Sequence, residues 1–408
     1  MLDRLYKIFT SPRLAVALLA LGLVLVFLGT MAQEPLGLYA AQNRFFRSFF
    51  VDAPSFYAAM HKTADMFLQG IGRPLQPLDA HALLTAPRIP VFPGGYLVGG
   101  LLLINLFAAH LRYYQPGQKK YGIAMIHLGV VLLLLGQLLT DLLSTESAMH
   151  IRNGGTKNYS EADRDYELAI IDVTDPETDQ VVAIPARKLA KRGELVHPEL
   201  PFTIRVKKYF PNSSLVEGPR DGYEEVKTAG DKGTGIWWRE VAHVTEMNRR
   251  DTPSALLELV TPQGPLDTVL VSGFLSRPAA FRHNDRKYEI GLRPQRFYKP
   301  FSLHLIEFRH DKYPGTEIPK NFSSQVRLQR ADTGENREVL IYMNNPLRYG
   351  GETFYQASFD PDNQGTILQV VHNPSWLTPY FSCVLVGVGM VWQFMSHLVG
   401  FAAKRKKA

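Results

Sequence analysis

The stretch Tyr121–Thr140, YGIAMIHLGVVLLLLGQLLT, holds no Asp, Glu, Lys or Arg. A run of about 20 such residues is long enough to cross a bilayer as a helix, which satisfies its backbone internally. This stretch therefore places the chain in a membrane. It also carries an ionisable ring, His127, six residues after Tyr121, or about 9 Å along a helix axis. Such a group is rare in hydrocarbon, generally faces protein rather than lipid, and often marks function. Three readings stand: a neutral ring hydrogen-bonded to a neighbouring helix, a proton carrier, or a metal ligand. A relay needs an acceptor, and Asp141 lies 14 residues further on, about 21 Å away. Neutral imidazole is a common axial ligand of heme iron, so ligation is the chemistry that the position favours.

Outward from this stretch, three more runs are long and apolar enough to span: about Leu14–Ala32, the region between Arg88 and Arg112, and about Pro379–Phe401. Basic residues flank them in three groups: Arg4, Lys7 and Arg13; Arg112, Lys119 and Lys120; Lys404, Arg405, Lys406 and Lys407. The positive-inside rule puts all three groups in the cytoplasm, and the segments 33–94 and 144–378 outside. In a bacterium this is the inner (cytoplasmic) membrane, with the large block on its periplasmic or extracytoplasmic side. The first run is longer than a usual signal-peptide core and lacks an evident cleavage site, so it reads as an uncleaved anchor.

The chain has 408 residues and a net charge of +7, with a pI near 9.2 and a mean hydropathy of only −0.09. The basic excess follows membrane topology, and no nucleic-acid partner is expected. One cysteine, Cys383, allows no internal disulfide, no CxxC pair and no Cys-rich metal site. Residues 144–378 show short alternating or β-branched runs, such as YELAIIDV, FTIRVKKYF and FSLHLIEF, punctuated by turns such as TDPETD and ADTGEN. That pattern predicts an antiparallel sandwich or open barrel. Residues 33–94 mix aromatics and charges at helical spacing, which suits amphipathic helices at the outer membrane surface. Their Pro-rich end reads as an irregular connection.

The sequence has no Walker loop, GxSxG, HExxH or GxGxxG. GGYLVGG in the second run reads as a close-packing surface. Trp237 and Trp238 read as core or rim, or else as a platform for a flat ligand. Most histidines outside the membrane (His150, His197, His243, His283, His304, His310) have no ligand spacing and read as surface or satisfied core. His110, just before Arg112, reads as an interfacial anchor, with heme or proton work as the alternative.

The segment MNNPLRYGGETFYQASFDPDNQGTILQVVHNPSWLTPYFSCVLVGVGMVWQFMSH resembles the end of the ResB (CcsB) family, the system II cytochrome c biogenesis proteins. FTSPRLAVALL and LGTMAQ in the first run, and IHLGVVLLLLGQLLT in the third, are similar too. The resemblance implies a subunit that, with a CcsA-type (ResC) partner, carries or holds heme b across the membrane. The heme, as transported substrate, is then presented for attachment to CxxCH motifs of apocytochrome c. It implies two axial imidazoles on the iron, with His127 as this chain's contribution and the other lent by CcsA. His372 is a further candidate at the outer site, or else merely ends a strand. Arg348 is a candidate partner of a heme propionate, since its fork suits a carboxylate, or else belongs to a packed, twisted strand. The tryptophan-rich WWD segment of CcsA is absent here, as is a CxxC motif. The chain is thus expected to be part of a heme-lyase complex, not catalytic alone, and to need a thioredoxin-like thiol reductant. The competing expectation is a membrane scaffold whose β-domain chaperones apocytochrome and partners without ligating heme.

The expected fold class is an integral membrane protein of four α-helical spans plus a large exported all-β, sandwich-like domain. Its expected divisions are 1–33, a cytoplasmic start and first helix; 34–94, an exported loop with amphipathic helices; 95–143, two helices with a short cytoplasmic loop; 144–378, the β-rich domain; 379–403, the fourth helix; and 404–408, a basic tail.

Overall fold

A computed structural model of the chain describes residues 2–79, 82–83, 86–113, 121–191, 193–228, 235–246, 249–316 and 319–405. Lys119, Lys120, Lys406 and Lys407, which carry part of the expected orientation, lie outside the described residues. The chain forms two compact units. One is helical and comprises Met1–Ser144, Thr245–Asn248 and Asn373–Ala408. The other is a β unit of Thr145–Val244 and Arg249–His372.

Among the described residues, the helical unit contains four helices long and apolar enough to cross a membrane: Pro12–Met31, Gly95–Tyr113, Tyr121–Leu143 and Thr378–Arg405. The first opens at Ser11, whose hydroxyl accepts from Arg13 N–H, with Pro12 in the first turn; both features favour a helix start. After it the chain turns at Gly37, which has a φ of 81°. A Cβ there would meet the Thr245 carbonyl oxygen at 2.6 Å, so only glycine fits. A helix at Ala53–Gln69 follows, capped by Asp52, which accepts from Ser55 N–H at 2.9 Å. It buries Ala58 and Ala59 with Leu28, Leu36, Phe45 and Val51 in a small core, and leaves Tyr57, Met60, Met66 and Phe67 exposed. The described part of the Pro-rich end is mostly irregular, as expected, except for a short strand near its close. Two short strands, β1 (Phe50–Asp52) and β2 (Pro90–Pro93), pair antiparallel there.

The β unit is entirely strand, turn and one 3-10 segment among the described residues. Its main sheet contains β3 (Thr145–Arg152), β4 (Thr156–Asp172), β5 (Gln180–Pro185), β13 (Ala279–His283), β14 (Arg286–Lys312), β15 (Pro319–Arg330), β16 (Glu335–Tyr342), β17 (Leu347–Tyr349), β18 (Glu352–Phe359) and β19 (Gly365–His372). A smaller sheet contains β6 (Gly193–Leu195), β7 (Thr203–Phe210), β11 (Ser254–Thr261) and β12 (Gly264–Ser272). A third holds β8 (Ser213–Glu217), β9 (Glu224–Glu225) and β10 (Ile236–Glu240). Along the main sheet the order is β16, β15, β14, β4, β3, β19, β18, β17, with β13 added to β14 and β5 to β4.

The sandwich-like expectation needs correction. One core, including Leu168, Ile170, Ile204, Leu257 and Ile290, does lie between the small sheet and the β4–β5–β13–β14 part of the large one. The remainder of the large sheet curls on itself around a second core containing Leu303, Leu305, Ile341, Phe354 and Leu368. Its terminal strands β16 and β17 meet, and Tyr349 O–H donates to Glu335 at 2.5 Å. The sheet is thus nearly closed, like a barrel, which leaves few free edges. β14 runs through both cores. Irregular register at Pro294–Arg296 and at Tyr298–Leu303 lets one long strand change direction between them. Trp238 is buried against Phe210, with ring centroids 4.6 Å apart. It is core, and no platform for a flat ligand.

Candidate functional site

The third long helix has two distinct faces. Gly122, Gly129 and Gly136 recur every seventh residue and lie on one stripe. That stripe packs directly on the fourth helix. Cβ atoms added at the three positions would stand 2.7 Å from Gly389 O, 2.5 Å from Val386 Cγ2 and 2.6 Å from Thr378 Cγ2. The two backbones can approach this closely only because the side chains are absent. At about 100° per residue, His127 projects well away from this stripe, toward the second helix.

The second helix is pinned on either side of His110. Asn105, buried, donates to Phe9 O at 2.7 Å and to Ser11 O at 3.1 Å. Arg112 Nη1 donates to Thr10 Oγ1 at 2.5 Å. At its opposite end, Tyr96 O–H donates to Asp141 of the third helix, and Asp141 also pairs with Arg47 Nε at 2.7 Å. The two helices are therefore fastened at the end away from the histidines, and Asp141 is engaged where it lies.

This framework brings His110 and His127 together. Their ring centroids are 6.2 Å apart and their planes are nearly perpendicular, at 89°. Two imidazoles on opposite sides of one metal, each bonded at about 2 Å, have centroids roughly 6 Å apart once the half-width of each ring is added. The spacing suits a pair of axial ligands to heme iron, whose other four positions come from the macrocycle. It also suits an edge-to-face ring contact. Among the described residues, no group of three or more His, Cys, Asp or Glu side chains is arranged to hold a bare metal ion.

The other two candidates belong to the β unit. His372 ends β19, is exposed, and its Nδ1 lies 3.1 Å from Gly351 O. Arg348 lies on β17 with an exposed side chain and sits opposite Thr353. The scattered histidines have local partners: His150 with Asp360 at 2.9 Å, His243 with Asp251 at 2.6 Å and His304 with Thr156 at 2.9 Å. The sequence alone presents His110 as an interfacial anchor, with heme or proton work as the alternative. Its pairing depends on the glycine stripe and on Asn105, and the seven-residue spacing of the glycines was the available signal. In GGYLVGG, only Gly94 and Gly95 pack closely, against the backbone of Phe46 and Ser48. Gly99 and Gly100 meet nothing within 4 Å.

Residues 279–373 match the ResB-like family. That region runs from β13 to the end of the β unit and includes Arg348 and His372, whereas His110 and His127 lie before it. Over 300 residues the chain is 26% identical to Protein NrfI of Wolinella succinogenes. The match covers 72% of this chain but only 29% of that relative, so the chain spans less than a third of its length.

Proposed function

We propose, for this ResB-like chain, a role in cytochrome c maturation as a heme-handling membrane subunit. In this reading the four apolar helices lie in a bacterial cytoplasmic membrane and the β unit works on its outer side. Heme b is the cargo, apocytochrome c its recipient, and a CcsA-type membrane protein the partner; a thioredoxin-like reductant keeps the acceptor thiols reduced. The observation that carries this reading is the paired arrangement of His110 and His127 on two long, largely apolar helices. His127 serves as an axial ligand, and its second-helix neighbour orients it or shares the iron.

The test is spectroscopic. The chain is co-expressed with a CcsA-type partner and purified, and the reduced absorption spectrum is recorded. His127→Gly should lose or shift the b-type bands, and added imidazole should restore them. Unchanged heme content in that variant overturns ligation. The perpendicular ring contact favours a second reading, in which the β unit chaperones apocytochrome and partners while the histidine pair only joins two helices. That reading predicts intact heme content but reduced stability in the same variant.

A further inference from the structure

A second polar assembly lies in the β unit, on the paired strands β4 and β14. On β4, Lys157, Tyr159 and Glu161 alternate along one face. Across from them on β14 stand Tyr298, opposite Tyr159, and Arg296, opposite Glu161. Two cations crowd a single ring. The Arg296 guanidinium carbon lies 4.2 Å, and the Lys157 ammonium 4.8 Å, from the Tyr159 centroid. Tyr298 packs beside them, with its ring 5.5 Å from that of Tyr159. Arg296 has a carboxylate, with its Nε 3.2 Å from Glu161. Lys299, in the adjoining bulge, has another, Glu352 at 2.5 Å. Lys157 is half-buried, and no carboxylate lies within ion-pair distance of it among the described residues. Three cations thus share two acids.

An ammonium held partly out of water beside a guanidinium is unfavourable unless an anion joins it. Burial, with Arg296 adding to it, lowers the Lys157 pKa, while Glu161 acts the other way. Tyr298 is 55% exposed, so the charge stands next to an open, flat aromatic surface. We infer that Lys157 and Arg296 form an oxyanion site and that its occupant is a propionate carboxylate of a porphyrin lying against the exposed ring of Tyr298. A lipid phosphate would supply the same charge, but it would make no use of the aromatic face. The assignment rests on the heme-handling reading for the identity of the ligand; the site itself is separate from His110 and His127.

The probes are metal-free protoporphyrin IX and its dimethyl ester, titrated by fluorescence against the full chain in phosphatidylcholine nanodiscs. Neither probe carries iron, so histidine ligation has no part in the result, and failure of the His127 test is distinguishable from failure here. Lys157→Met should weaken binding of the diacid about tenfold and leave the diester unchanged, while Lys157→Arg should restore most of the loss. Equal binding of the diacid by wild type and Lys157→Met overturns the site. Equal weakening of both probes also overturns it, because the lysine would then act only through the fold. Suppression of the wild-type preference for the diacid when the disc is doped with phosphatidylglycerol assigns the site to a lipid headgroup and overturns the propionate.

Discussion

An imidazole on a long apolar helix and an ammonium half-sunk in a sheet pose the same problem at the scale of a residue: each needs a partner. His127 was legible because an ionisable group stands out in an apolar run. Lys157 was not, since KNYSEADR reads like any solvent-facing strand. Its burial depends on the β14 bulge across from it, which no local pattern encodes. The lowered Lys157 pKa gives a sign to test. An unfolded chain keeps that proton up to the ordinary value of 10.5. Folding therefore gains stability as pH rises through the interval between the lowered value and 10.5, and below that interval the charged side chain opposes folding. Binding runs the other way. Diacid porphyrin affinity should hold below the lowered pKa and fall as pH climbs through it. Tyr159, whose pKa burial raises, stays neutral over the early part of that range. Lys157→Arg should flatten the profile, and a decline of equal steepness in both proteins would contradict the assignment.

At the scale of elements, the spans were readable because length and apolarity suffice to identify them. How they pack depends on which faces meet, and there glycine spacing decides. Replacing a helical glycine with alanine ordinarily favours the helix by up to about 1 kcal/mol. At Gly129 the added Cβ would instead lie 2.5 Å from Val386, so Gly129→Ala should destabilise the helical unit by about 1–3 kcal/mol. Gly99→Ala, where nothing lies within 4 Å, should be neutral or stabilising. Thermal unfolding in detergent compares the two directly, and a lower midpoint for Gly99→Ala than for Gly129→Ala would refute the seam. Asn105→Leu removes both bonds to the start of the first long helix. An interhelical hydrogen bond in a membrane contributes about 0.6 kcal/mol on average and seldom more than about 1.7, so the loss of stability should be modest. Because Asn105 sets the height of His110, the proposed heme ligation predicts that the spectrum of the complex with its partner changes more than the melting temperature does.

For the whole molecule, strand content was evident from alternation and turn residues, but the number of layers was not. Closure of the large sheet depends on β16 meeting β17 and on β14 changing course, and both are long-range outcomes. Since β14 belongs to both cores, damage to either should appear in one transition. Leu257→Ala in the first and Phe354→Ala in the second, each fully buried, should each cost about 2–5 kcal/mol. Both should lower the same β-unit unfolding step, followed by hydrogen exchange along β14; two independent steps would show that the cores melt separately. The ladder that joins β3 to β19 also has a consequence in time. Ser147 on β3 donates to Val370 on β19, 223 residues later. At about 5–20 residues per second of synthesis, the first strand of the unit waits roughly 10–40 s for the neighbour that completes it. Throughout that interval the nascent protein carries an open seam, and its maturation depends on whatever shields that seam until the last strand is made.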